Sequence, residues 1–176
     1  MANWINRTTY EFKQSWSPDP GDEAAWLDLG PTTPTLLTGS PHPQDWAVVG
    51  DEVVLKPEIE RVAWRRFIAY AKIGQRTDEL IALGHTYLGM QFSTSTETRT
   101  TVLAMIQSRD SLAYPIRFNS LDDSGYVDLA SAAEVVAFYE NGVGTVRARL
   151  DSGTALKDQV RAATTLAELD AVVDPR

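Results

Sequence analysis

Apolar and polar positions alternate along the opening of this chain, and from the middle onward the apolar ones recur every three or four residues. Residues 3 to 13, NWINRTTYEFK, mix β-branched and aromatic side chains with polar ones in rough alternation, which predicts one half-buried strand. A turn cluster, Ser17–Glu23, separates it from a short strand expected at Trp26–Leu29. Residues 30 to 45 hold four prolines and two glycines, which excludes a helix or a central strand and predicts a loop wrapped over a surface. The β-rich runs Trp46–Val49 and Glu52–Leu55 flank Gly50-Asp51, a two-residue hairpin signal.

At Pro57 the period changes. Ile59, Val62, Ala63, Phe67, Tyr70, Ala71 and Ile73 follow at helical spacing and predict an amphipathic helix from Pro57 to about Leu83, closed by Gly84. Within it Ile59, Ala63, Phe67, Tyr70 and Ile73 make a narrow seam of the kind that pairs helices between chains. Beyond Gly84 the punctuation is regular. Thr86–Leu88 and Met90–Ser93 predict a hairpin about Gly89, and Tyr126–Leu129 pairs back on the segment after Pro115 across the turn Asp122–Gly125. Thr94–Glu97, Ser131–Glu134 and Thr165–Glu168 have capping-box form, in which hydroxyl and carboxylate satisfy orphan amides at a helix start. They open a helix to about Arg109 with Val102, Leu103 and Ile106 on its apolar side, a long helix to about Ala163, and a short terminal helix. The expected fold class is α+β. A β-rich docking module spans residues 1–56, a connector helix 57–83, and an α+β domain of short hairpins and helices 84–176.

Composition narrows the function classes. The 176 residues carry a net charge of −8 and a pI near 4.7, so phosphate backbones, which need a basic stripe, are poor partners and no nucleic acid is expected. Zero cysteines remove disulfides, thiolate metal sites and cysteine nucleophiles together. No apolar run approaches the 18 or so residues of a membrane span, so membrane insertion is not expected.

Candidate chemistry is sparse. His42 sits in the proline-rich loop and His85 opens a hairpin, with no ligand spacing between them. Asp122, Asp123, Ser124 and Asp128 offer oxygens, but the loop lacks the length and terminal glutamate of a calcium motif, and a hairpin turn explains it. Gly142-Val-Gly144 falls inside a helix rather than after a strand, which reads as close helix packing and not as a dinucleotide fingerprint. No catalytic, metal or cofactor-binding residue is assigned, and no cofactor is expected. Trp4, Trp16, Trp26, Trp46 and Trp64 all lie in the first 64 residues. Tryptophan is enriched at interface anchors. Trp4, Trp16, Trp26 and Trp46, together with Ile59, Phe67 and Tyr70 of the seam, are the interface candidates; a small core built from few aliphatics is the plainer use of the tryptophans.

Two stretches carry a resemblance. Gly84-His85-Thr86-Tyr87 with Gly89 and Phe92, a Ser/Thr helix start, Phe118, the acidic turn before Val127-Asp128-Leu129, and then Ala155-Leu156-Lys157 with Val160, Ala163, Thr164-Thr165 and Glu168-Leu169 resemble a domain of unknown function found towards the C-termini of phage tail-fibre and other tail proteins. Ile5-Asn6-Arg7-Thr8-Thr9, Trp26, Pro41, Trp46, Gly50-Asp51, Val53 and Glu60 resemble the opening of short phage tail proteins. The resemblance implies a structural component of a bacteriophage tail (fibre, baseplate or adaptor), made in the host cytoplasm, resident in the virion and acting through contacts with other tail proteins. The helix seam predicts a homo-oligomer, though a helix packed on its own C-terminal domain fits the same spacing, and the resemblance favours a trimer because fibre-like tail proteins are commonly three-fold. It supplies no catalytic residues, so no enzymatic activity is expected. The alternative is a tail-fibre assembly chaperone, and third stands a host-surface glycan-binding or glycan-cleaving protein.

Overall fold

The computed structural model describes residues 2–6, 8, 12–15, 26–28, 42–50 and 52–176. Among them the elements run β1 (Ala2–Asn6), β2 (Phe12–Ser15), β3 (Trp26–Asp28), β4 (Trp46–Val49), β5 (Glu52–Leu55), α1 (Glu58–Ala82), β6 (His85–Tyr87), β7 (Met90–Phe92), α2 (Thr96–Gln107), β8 (Ile116–Asn119), β9 (Tyr126–Leu129), α3 (Ala132–Ala162) and α4 (Leu166–Asp170). The fold is α+β. It divides into two compact units, one of residues 1–68 and 162–173, the other of residues 69–161 and 174–176. The helix expected to be a separate connector is therefore shared, with its residues falling in both units.

In the first unit the single strand expected over residues 3 to 13 is two strands. The Asn6 side chain accepts a hydrogen bond from the Thr8 amide at 2.9 Å, a local turn that interrupts the run. β1 then pairs antiparallel with β2 on one side and β3 on the other, in the order β2-β1-β3. Ile5 stands opposite Leu27 in that register, and both are buried. Trp46 joins them, with Val48 and Val53 of the β4–β5 hairpin packed against the three. That hairpin forms as its sequence predicts: Gly50 takes φ +63°, the left-handed conformation its turn requires. α4 carries a complete capping box, Thr165 accepting from the Glu168 amide and Glu168 from the Thr165 amide.

The second unit is organised about aromatic rings. The β6–β7 turn puts Leu88 at φ 48° and Gly89 at φ 81°, the two positive values of a type I′ turn. Gly84 is obligatory just before β6, because a Cβ there would lie 2.0 Å from the Phe92 carbonyl oxygen. α2 begins one residue later than expected. Its cap is Ser95, which accepts from the Thr98 amide at 3.1 Å, whereas Thr94 is buried and donates to the Ile81 carbonyl. Leu103, expected on the apolar side of α2, is exposed, and Val102 is the residue that is buried. β8 and β9 pair with Arg117 opposite Asp128, and the guanidinium grips the carboxylate at 2.8 and 2.9 Å. At the start of α3, Ser131 caps the Glu134 amide at 3.3 Å, while the Glu134 carboxylate reaches one residue past the cap to the Ala130 amide. The buried face of α3 runs Val135, Phe138, Gly142, Val146, Gly153, Leu156 and Val160, a helical three-four spacing. Its glycines are places of close approach: a Cβ on Gly142 would lie 3.3 Å from His85 Nε2, and one on Gly153 2.5 Å from Thr77 Oγ1. Gly144 meets nothing within 4 Å, so only one of the Gly142-Val-Gly144 pair serves packing.

Candidate functional site

The interface candidates separate by burial. Trp46 is 2% exposed and belongs to the core of the first unit, so it has no surface to offer a partner. Trp4 is half-buried, and among the described residues its indole nitrogen finds no hydrogen-bond partner. Trp26 contributes main-chain pairing to β3, and Trp16 lies outside the described residues.

The apolar residues of α1 differ in burial along its length, where periodicity suggested one uniform seam. Val62, Ile73 and Thr77 are its buried residues. Ile59 and Phe67 are 78% and 63% exposed, with Ala63 exposed between them. Ile73 is thus a core residue rather than a seam residue, and Tyr70 is half-buried in the second unit. What remains of the seam is a line from Ile59 through Ala63 to Phe67, in the first unit.

Local contacts hold this line in place. The Trp64 ring stacks on Phe67 with centroids 5.5 Å apart and planes at 24°. Its indole N–H donates to His42 Nδ1 at 3.3 Å, which also accepts from the Gln44 amide. One residue on, Arg65 donates to the fully buried Asp45 at 2.6 Å. That hydrogen bond raises the Arg65 pKa above its ordinary value. Asp45 also ends the 3-10 turn Pro43–Asp45, donating its amide to the His42 carbonyl and accepting from the Lys56 amide. Trp64 stood in the tryptophan cluster but not among the interface candidates, and Asp45 was given no role. The spacing of Trp64 and Phe67, three apart on a helix, was the available signal for one; nothing local marks the other.

The remaining candidates are engaged structurally. His85 is buried, its Nδ1 2.7 Å from Asn141 Oδ1 and its ring 4.9 Å from that of Phe138 in edge-on contact. Asp122 Oδ1 accepts from the Ser120 hydroxyl, the Ser124 hydroxyl and the Ser124 amide at 2.8, 2.7 and 3.1 Å. Those bonds, the Ser124 hydroxyl first, hold its carboxyl down at about 2. Asp128 is held low by Arg117. Among the described residues no group of three or more His, Asp or Glu side chains is placed to hold a metal ion, and no helix is long and apolar enough to cross a membrane. Comparison of the chain with protein-family models, with curated proteins and with solved structures finds no match.

Proposed function

We propose that this protein is a structural component of a bacteriophage tail, a fibre, baseplate or adaptor protein that acts by binding other tail proteins and copies of itself. The resemblance of two stretches of the sequence supports the setting. The observation that supports the mode of action is the exposed line Ile59–Ala63–Phe67, flanked by a tryptophan that a hydrogen bond and a stacked ring hold in one orientation. Large apolar side chains left in water on a rigid helix are the usual anchors of a protein interface. Three copies is the number that the likeness to fibre-like tail proteins favours.

The test is Phe67→Asp in the intact chain. Because Phe67 is largely exposed, the variant should keep its circular dichroism spectrum, while light scattering should show the oligomer falling to monomer and particles should fail to incorporate it. An unchanged oligomer with normal incorporation would sink the reading. Substitution is a better probe than removal of residues 1–56, which would take away Ile5, Leu27 and Trp46 and with them the core of the first unit. Protein analysis of purified particles separates the virion component from an assembly chaperone, which would be absent from them.

A further inference from the structure

Within the second unit, Phe92, Phe118 and Phe138 line a pocket of about 230 Å³ whose other walls include Glu97, Thr101 and Asn119. Phe138 is the hub of the rings, stacked on Phe118 at 5.0 Å and 29° and set edge-on to Phe92 at 5.1 Å and 82°. Phe92 and Phe138 are buried and form the floor, while Phe118 is half-buried and keeps surface for a ligand. Glu97, Thr101 and Asn119 are exposed at the mouth, and among the described residues none of these side chains makes a hydrogen bond or ion pair. A pocket with an apolar floor and a few convergent polar groups is the arrangement that binds small molecules.

The polar groups choose among ligand classes. Glu97 repels an anion. An ammonium ion would satisfy Glu97 but leave the two amide donors of Asn119 without a match. A neutral polyol supplies donors for Glu97 and both donors and acceptors for Asn119 and Thr101, and the C–H face of a sugar ring suits the half-buried Phe118. We propose that this pocket is a binding site for a hexopyranose. The site is independent of the α1 line, so its failure would leave the tail-component reading untouched.

The test is chemical-shift mapping on the intact chain with the methyl glycosides of glucose, galactose, mannose, N-acetylglucosamine and rhamnose, each added singly, and with choline and inorganic phosphate. At least one glycoside should shift the amides of Thr101, Phe118 and Asn119. Asn119→Ala and Glu97→Ala, both surface changes, should each weaken that binding about tenfold, the worth of one hydrogen bond to or near a charged group. Three results would overturn the proposal: no glycoside shifts those amides, binding survives both substitutions, or choline or phosphate shifts them where the glycosides do not.

Discussion

The two units solve the same problem with different material. The first closes its core on Ile5, Leu27 and Trp46, and beside that core it buries a carboxylate, Asp45, tied to Arg65. The second gathers Phe92, Val102, Val127, Leu129, Val135 and Phe138 into one cluster, with Tyr87 and Phe118 also in ring contact with Phe138. Burial of large rings brings much apolar area out of water at small entropic cost, so the second unit can stand on packing alone. Among the described residues of the first unit, directional contacts stand beside that core, Arg65 to Asp45 and Trp64 to His42.

Substitutions should expose this contrast. Phe138→Ala removes the ring that His85, Tyr87, Phe92 and Phe118 all touch. It should cost about 3–5 kcal/mol in urea denaturation, with amide exchange accelerating in residues 84–146. Asp45→Ala should cost about 3 kcal/mol, near the low end for a broken buried pair because Arg65 is 25% exposed and can turn to water. Its exchange signature should fall on β4, β5 and the first turns of α1. If Asp45→Ala costs nothing, directional contacts do not hold the first unit. Phe67→Asp should cost about 1 kcal/mol, mainly the lost stack on Trp64, since the position is otherwise exposed.

The smallest effect is one of pH. Asp122 titrates at about 2 in the folded chain against an ordinary 3.8, so its folded-state pKa is depressed. Stability from its hydrogen bonds is therefore complete above about pH 4 and is lost as pH falls towards 2. Carboxyl-carbon titration by NMR should place the midpoint near that value. Asp122→Asn should remove this part of the acid loss, and a midpoint at the ordinary value would show that Ser120 and Ser124 do not hold the carboxylate.

Much of this was readable from the residues where chemistry is local. The β4–β5 hairpin, the Asp122–Gly125 turn and the Thr165–Glu168 box each specify a geometry locally, and each formed in its place. Errors arose where a choice between neighbours depends on distant atoms. In Thr94-Ser95 two hydroxyls compete for one cap, and the contact of Thr94 with the Ile81 carbonyl decides it. Along α1 the apolar spacing marks one broad stripe, and only the packed structure tells that Val62 and Ile73 are buried while Ile59 and Phe67 are exposed. The sugar-site residues are drawn from two helices and two strands, so no spacing could have joined them. Asn6 was a missed local signal, since a side-chain acceptor two residues before Thr8 announces a turn.

The tryptophans have an optical consequence. All five lie at or before residue 64, inside the span of the first unit, while five of the six tyrosines lie between residues 70 and 139, inside the second. Light absorbed only by indole therefore interrogates the first unit, and the near-ultraviolet dichroism of tyrosine chiefly the second. Unfolding followed at both signals needs no label. Coincident curves would mean that the units melt together, and separated curves would give each its own stability.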